Sequence, residues 1–218
     1  MLHLTRAQLS ERADVNALLP LIRPARGRVG AQHHLIWSLM SDGEDRQRDF
    51  IYRQDGRTTY VLSERQPAPS DLWDAETKQL PEIATGTQLA FMMRCNPVQR
   101  IVSDDGKRRK VDVVMHALHS IEKSQRALRR MEIAQQVMCE WLGAQGADSG
   151  FELHDCVIES YRQQRISRGR GRPIQFSTVD LQGALTVTDG ALFADRLKHG
   201  FGSSRAWGCG LMLVRRVR

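Results

Sequence analysis

Residues 151–188, FELHDCVIESYRQQRISRGRGRPIQFSTVDLQGALTVT, carry the clearest structural signal in the chain. The segments 151–160 and 175–188 have the composition and partial alternation of β-strands. Between them, residues 162–172 contain five arginines and two glycines and no acidic residue. Strands on both sides of a glycine-containing segment predict a long hairpin with a basic loop at its tip.

The segments around this hairpin extend the pattern. Before it we predict a strand over 110–117 and a long helix over 118–142. After it we predict a helix over 189–200, capped by an aspartate and a glycine, and a buried strand over 211–214. The order strand, helix, strand, strand, helix, strand is ferredoxin-like. The apolar face of the long helix is predicted to consist of Leu118, Ile121, Leu128, Met131, Met138 and Trp141 or Leu142.

The first part of the chain predicts a similar unit. Residues 2–9 indicate a strand, and Asp14 can cap a short helix that is ended by Pro20 and Pro24. Helical spacing of apolar residues predicts a second helix, and strands are indicated over residues 50–53, 58–63 and 87–94. We therefore expect an α+β protein of two tandem ferredoxin-like units, residues 1–93 and 94–218.

Basic residues are concentrated in the second unit. The 218-residue chain has 32 Lys and Arg against 25 Asp and Glu, a net charge of +7. Residues 1–90 hold 11 cations and 12 anions, whereas residues 91–218 hold 21 cations and 13 anions. Because 27 of the cations are arginines, whose planar guanidinium matches phosphate, the excess predicts a polyanionic partner that docks on the second unit.

Two clusters hold much of this charge. The first follows a turn and consists of Lys107, Arg108, Arg109 and Lys110. The second lies in the hairpin tip and consists of Arg162, Arg165, Arg168, Arg170 and Arg172. An Arg-Gly segment packs poorly in a core but follows a phosphate backbone well, so we predict nucleic-acid contacts, with solvated surface loops as the alternative.

RNA-recognition modules share the predicted topology, and they stack bases on paired aromatic side chains of their strands. Here 6% of the residues are aromatic, and no strand carries a close aromatic pair. We therefore expect a protein that reads the shape and backbone of folded RNA rather than one that stacks single strands.

The composition also bears on location. No window reaches the roughly 18 consecutive apolar residues of a membrane span, and the first residues do not form a secretory signal. The four cysteines include no Cys-x-x-Cys pair, which predicts reduced and mostly buried thiols. We expect a cytoplasmic protein without membrane contact.

Few residues suggest chemistry. His33 and His34 are adjacent near the start of the second helix, where neighbouring side chains diverge by about 100°, so they cannot share a metal ion. A single imidazole beside a basic surface can act as a general acid or base, and a structural or surface histidine is the alternative.

Metal and nucleotide-hydrolysis sites are not indicated. The acids Asp42, Glu44, Asp45 and Asp49 alternate with arginines, which favours local ion pairs over Mg²⁺ binding. His116 and His119 have no third ligand nearby. The sequence has neither a P-loop nor a Gly-x-Ser-x-Gly motif. We therefore expect no metal and no cofactor.

Residues 200–213, GFGSSRAWGCGLML, form a second distinctive segment. Its four glycines, with Ser203, Ser204 and Arg205 between them, can bring backbone N–H groups close to phosphates. A tight structural connection is the alternative.

This segment resembles the glycine-rich signature of the CasE (Cse3) family, the CRISPR-associated repeat-processing endoribonucleases of the subtype I-E Cascade system. The resemblance spans nearly the whole chain, because further matches occur in the same order. These are His33 and Trp37 followed by RDFIYR at 48–53, RCNP at 94–97 leading to GKR at 106–108, and GALTVTD at 183–189.

The resemblance implies residue roles. It makes His33, four residues before the tryptophan, the catalytic histidine. Many members have a tyrosine three residues before that histidine, where this chain has Gly30. The family's basic hairpin, which enters the major groove of the repeat stem-loop, corresponds to residues 162–172. Its glycine-rich loop, near the RNA backbone, corresponds to residues 200–210.

The resemblance also implies an activity, namely metal-independent cleavage of precursor CRISPR RNA at the base of the repeat hairpin by attack of a ribose 2′-OH. The product would stay bound among other Cascade subunits. His33 would transfer one proton, and His34 or Lys107 could transfer the second. A non-catalytic subunit that binds the RNA hairpin and a basic DNA-binding protein are the alternatives.

Overall fold

The computed structural model describes residues 1–23, 28–40, 43, 47–103, 105–168 and 171–217. The first unit forms a four-stranded antiparallel sheet of order β2-β3-β1-β4, with two helices between its first two strands. Its elements are β1 (His3–Leu9), α1 (Val15–Ile22), α2 (Arg28–Met40), β2 (Phe50–Asp55), β3 (Thr58–Ser63) and β4 (Trp73–Gln79).

The second unit forms a four-stranded antiparallel sheet of order β10-β5-β9-β8, and β6 and β7 pair as a separate two-stranded ribbon. A single 3₁₀ turn, Arg205–Trp207, precedes the last strand. The elements are β5 (Gln88–Cys95), β6 (Val98–Val102), β7 (Arg108–Asp112), α3 (Val113–His119), α4 (Arg126–Gly143), α5 (Gly146–Ser149), β8 (Phe151–Arg168), β9 (Gly171–Val187), α6 (Gly190–His199) and β10 (Met212–Arg216).

Both sheets have the same strand order. With the four strands of each unit counted along the chain, each sheet runs 4-1-3-2. The predicted class, α+β with two tandem ferredoxin-like units, is confirmed.

The assignment of strand 87–94 to the first unit is wrong. This strand, β5, pairs with β9 and β10 inside the second sheet. The first sheet is completed instead by β4, which the sequence did not indicate because only its first residue, Trp73, is buried. A polar edge strand lacks the apolar alternation that identifies strands. The break between the sheets falls between Gln79 and Gln88, ahead of the predicted division at residue 93.

The strand predicted over 110–117 is also wrong beyond Asp112. There the Asp112 carboxylate accepts a hydrogen bond from the Met115 amide, at 2.8 Å, and caps α3. The predicted long helix is interrupted between α3 and α4, which changes the helix face that is buried. Leu128 and Met131 are therefore 82% and 43% exposed, and the buried residues of α4 are Ile133, Ala134, Met138 and Leu142.

The first unit lacks the second helix of the ferredoxin-like order, because residues 64–72 connect β3 to β4 without helical structure. One face of its sheet is covered by α2, which packs on Phe50 and Tyr52. Residues of the other face, Ile51 and Leu62, join the hydrophobic core of the second unit. The second unit thus buries the surface that the missing helix would cover.

The predicted hairpin of β8 and β9 is longer than expected. Its ladder extends to the pair Arg168 and Gly171, and the register shifts at three points along it. Most of the segment predicted as a basic loop is therefore strand, which gives Arg162, Arg165 and Arg172 defined positions along a ribbon.

All four cysteines are free, and Cys139 alone is half-buried while the others are buried. The prediction of reduced, mostly buried thiols agrees with this, and burial raises the pKa of Cys209 to about 12. Among the described helices, none is both long and apolar enough to cross a membrane.

Candidate active site

The helix α2 positions His33. It packs on the first sheet through Ile36, Leu39 and Met40, which are buried. One turn earlier, His33 is half-buried and His34 is exposed. The two imidazole rings are nearly perpendicular, at 89°, with centroids 5.7 Å apart.

The His33 ring packs against Trp207 of the glycine-rich loop. Their ring centroids are 4.8 Å apart and the ring planes are inclined by 39°. Beside this contact, the Tyr52 hydroxyl on β2 donates a hydrogen bond to the Ala206 carbonyl at 3.0 Å. Because both contacts join the first unit to a loop of the second, the candidate site lies at the junction of the two units.

Hydrogen bonds hold the glycine-rich loop in place. The Ser203 amide donates to the Asn96 carbonyl at 3.0 Å, and the Asn96 side-chain amide donates to the Ser204 hydroxyl at 2.6 Å. The Lys110 ammonium donates to the Ser203 hydroxyl. The hydroxyls of Ser203 and Ser204, predicted to bind RNA, thus already take part in bonds that shape the loop.

The local electrostatics favour a neutral imidazole. Partial burial lowers the pKa of His33 first, and the nearby His34 and Arg48 lower it further because they disfavour a second positive charge. At neutral pH the ring therefore has a nitrogen lone pair available to accept a proton.

Arg48 provides positive charge beside the imidazole, and Arg205 lies close to Arg48. Desolvation and the neighbouring Arg205 both lower the pKa of the Arg48 guanidinium. Arg205 donates to the carbonyl of His199. In the described part of the chain neither arginine forms an ion pair with a carboxylate. A phosphate placed between them would relieve their repulsion.

The predicted cluster 107–110 lies on the ribbon of β6 and β7. Lys107 and Arg109 pair with Asp105, at 3.7 and 2.8 Å, whereas Arg108 is exposed. Lys110 lies directly opposite Arg100 in the ladder. Like charges in opposed positions destabilise a ribbon, so this arrangement favours an anionic partner.

The hairpin presents its arginines to solvent. Arg162, Arg165 and Arg172 are exposed, while Arg170 and the side chain of Arg168 lie outside the described residues. Arg165 lines a cavity of about 590 Å³ together with Lys110, Ser203 and Ser204. The fold thus brings the hairpin, the ribbon and the glycine-rich loop to one surface.

The candidates for the second proton transfer are placed differently. His34 is next to His33 but exposed, and Lys107 pairs with Asp105 at the end of the ribbon. Gly30, where many family members have a tyrosine, is buried in α2.

No described group of three or more His, Cys, Asp or Glu side chains has an arrangement that could hold a metal ion. Of the acidic patch, Asp49 pairs with Arg65 at 2.7 Å. The other three acids, Asp42, Glu44 and Asp45, lie outside the described residues.

Three neighbours of the site were not predicted as site residues, namely Arg48, Tyr52 and Trp207. The first two lie within the matched motif 48–53, and the third is the single aromatic residue at 202–210. An aromatic side chain in such a loop indicates a contact with another part of the chain, because most residues of the loop itself are too small to bury it.

Comparison with known proteins identifies the family. Residues 2–216 match the sequence model of the family described as "CRISPR associated protein". The chain belongs to this family. A related CRISPR associated protein, the Cascade subunit CasE of Escherichia coli (strain K12), is 28% identical over 188 residues, which are 83% of this chain and 88% of that protein. The predicted membership of the CasE family is confirmed.

Solved structures of CRISPR associated proteins share the fold. Cas6e from Escherichia coli K-12 superimposes with a TM-score of 0.63 at 21% identity, over 99% of this chain and 100% of that one. CRISPR endoribonuclease Cse3 bound to a 19-nucleotide RNA gives 0.66 at 19% identity, over 99% and 100%. Thermus thermophilus Cse3, bound to an RNA representing a pre-cleavage complex, gives 0.63 at 19%, over 98% of both chains.

Proposed function

We propose that this protein is an endoribonuclease that binds the CRISPR repeat hairpin and cleaves precursor CRISPR RNA at the base of the stem without a metal ion. The observation that carries the proposal is the packing of a half-buried His33 ring on Trp207, at the end of a basic surface. The names of the relatives support it, because Cse3 is described as an endoribonuclease and was solved bound to RNA.

In the proposed reaction the ribose 2′-OH attacks the adjacent phosphorus as the bond to the 5′-oxygen breaks. The neutral imidazole of His33 accepts the 2′-OH proton, and the 5′-oxygen takes up a proton as it leaves. The products are a 2′,3′-cyclic phosphate and a 5′-hydroxyl. Arg48 and Arg205 would stabilise the negative charge that develops on the phosphorane oxygens.

The basic surface would hold the RNA hairpin. The exposed arginines of the β8–β9 hairpin, Arg162, Arg165 and Arg172, would enter a groove of the RNA stem, and Arg168 and Arg170 would extend this contact. The ribbon residues 107–110 and the loop residues Ser203, Ser204 and Arg205 would follow the backbone next to the cut. A fold that binds the stem in this way would retain its product.

We further propose that the protein acts in the cytoplasm as a subunit of Cascade. The relative from Escherichia coli is named a Cascade subunit, and a matching chain of similar fold comes from a CRISPR RNA-guided surveillance complex. The proposed retention of the cut RNA is consistent with assembly around that product.

The chemistry predicts the response to metal removal and to the sugar at the cut. Cleavage in excess EDTA is expected to proceed at the rate seen without EDTA, because no step uses a metal. An RNA with a single 2′-deoxy sugar at the cut is expected to remain intact, because it lacks the nucleophile. Gel analysis of end-labelled repeat RNA measures both.

Each outcome of that experiment is informative. Loss of cleavage in EDTA, or normal cutting of the deoxy RNA, would rule out the mechanism. Binding of the all-ribose hairpin without any cleavage would favour the non-catalytic RNA-binding alternative. Competition between hairpin RNA and duplex DNA at fixed salt tests the DNA-binding alternative.

The His33 imidazole is expected to titrate below the ordinary histidine value of 6.5. Since a base must be unprotonated, cleavage falls as the pH drops through this pKa. Replacing Arg48 with Gln removes a neighbouring positive charge, so the pKa of His33 is expected to rise. NMR titration of the His33 ring protons measures this pKa in the wild type and in Arg48→Gln, with Arg129→Gln on α4 as the control. An unchanged pKa in Arg48→Gln would contradict this electrostatic account.

A further inference from the structure

A cavity of about 570 Å³ lies at the junction of the two units beside the candidate active site. Its lining includes Gln32, the residue before His33, and Trp207, whose ring contacts that of His33. Gln164 on β8 and Phe176 on β9 also line it. The volume falls within the roughly 300–1,000 Å³ of sites for small organic groups.

The charges in this cavity largely neutralise one another. Arg94 donates to both carboxylate oxygens of Asp180, at 2.7 and 3.1 Å. The carboxylate of Asp55 pairs at 2.8 Å with Arg53, which lies outside the lining. Arg162 is the lining residue that forms no ion pair within the described ranges. Such a lining suits an uncharged group attached to a single phosphate better than a run of phosphates.

Aromatic rings and oriented amides complete the lining. Phe176 and Trp207 are both partly exposed and line the cavity, so part of each ring is open to it. The side-chain amides of Gln54 and Gln164 donate to the Gly56 carbonyl and the Thr178 hydroxyl, each at 3.2 Å, which orients both glutamines. Stacking on aromatic rings and hydrogen bonds to base edges are how proteins hold unpaired nucleotides.

We propose that this cavity binds the base of one unpaired nucleotide adjoining the scissile phosphate. The inference rests on the proposed function and adds a subsite to it. A base within the stem is paired and stacked, so it cannot enter, whereas a nucleotide beyond the last base pair can. Because Gln32 and Trp207 lie beside His33, a base held here places the neighbouring phosphate at the imidazole. The cavity therefore helps to select the position of the cut.

The test measures equilibrium binding of repeat hairpins made uncleavable by one 2′-deoxy sugar at the cut. Each unpaired flanking nucleotide is made abasic in turn. With the wild-type protein, one such position next to the cut is expected to weaken binding about tenfold. Gln164→Leu and Phe176→Leu are expected to weaken binding of the intact RNA to a similar degree and to lose sensitivity to that abasic position.

Gln182→Leu is the matched control, because Gln182 is exposed on the same strand as Phe176 and does not line the cavity. It is expected to behave like the wild type. All variants should bind a hairpin without flanking nucleotides with wild-type affinity, which shows that they are folded.

Three results would overturn the proposal. The wild type could bind the hairpin yet be insensitive to every abasic position. The two cavity variants could keep the full abasic effect. They could also lose affinity for the hairpin without flanks, which would place their effect outside the cavity. A wild-type protein that binds no repeat hairpin at all would instead refute the proposed function.

Discussion

Replacing His33 with Ala is expected to slow single-turnover cleavage of the repeat hairpin by about 10²–10⁴-fold, the usual contribution of a general base. The imidazole is half-buried against Trp207 and kept neutral by its surroundings. Alanine leaves no group at that place to accept the 2′-OH proton. The cleavage rate at saturating protein, followed on gels, measures the effect.

The controls separate catalysis from binding. His33→Ala is expected to bind the hairpin within about threefold of wild type, because phosphate contacts dominate RNA affinity. His119→Ala, an exposed histidine at the end of α3, should cleave like the wild type. A His33→Ala protein that still cuts at more than a tenth of the wild-type rate would contradict the role of His33. His34→Ala, tested alongside, shows whether that ring supplies the second proton transfer.

Removing the positive charge of the β8–β9 hairpin is expected to have the second largest effect, a loss of RNA affinity. Changing Arg162, Arg165 and Arg172 together to Gln should weaken binding of the RNA hairpin by about 10²–10³-fold. Each substitution removes one charge-assisted bond to a phosphate. The slope of log affinity against log salt should become shallower by about three, one for each lost contact. Filter binding across a salt series measures both quantities.

A matched triple variant controls for net charge. Arg6, Arg215 and Arg216 are exposed on β1 and β10, and changing them to Gln removes the same number of charges. The affinity of this variant for the RNA hairpin should stay within about threefold of wild type. Its slope of log affinity against log salt should be almost unchanged. Equal losses in the two triple variants would mean that overall charge, not the hairpin, holds the RNA.

Several elements followed from local sequence. The hairpin was predictable because two strand-like segments flank an acid-free Arg-Gly segment, and α6 because Asp189 and Gly200 mark its ends. His33 became a candidate through its spacing from Trp37 in a matched motif. Element boundaries were harder to predict. Asp112 ends β7 and also caps α3, and only its bond to the Met115 amide shows that the strand stops there.

Pairing partners could not be predicted in the same way. The residues of β5 describe a good strand, but nothing in their alternation says which sheet the strand joins. The first unit lacks its second helix, and the second unit covers Ile51 and Leu62 in its place. This contact joins residues that are distant in the chain, so local sequence does not predict it.

The sequence alone determined the charge of the two units, the basic hairpin, the glycine-rich loop and the histidine motif, because each depends on residue types within a short segment. The tertiary structure decided that His33 contacts Trp207, that Arg48 and Arg205 lie together, and that paired charges and glutamines form a cavity at the junction. Each of these features brings together residues that are distant in the chain. Local periodicity carries no information about such distances, which are set by how two separately formed sheets pack into one core.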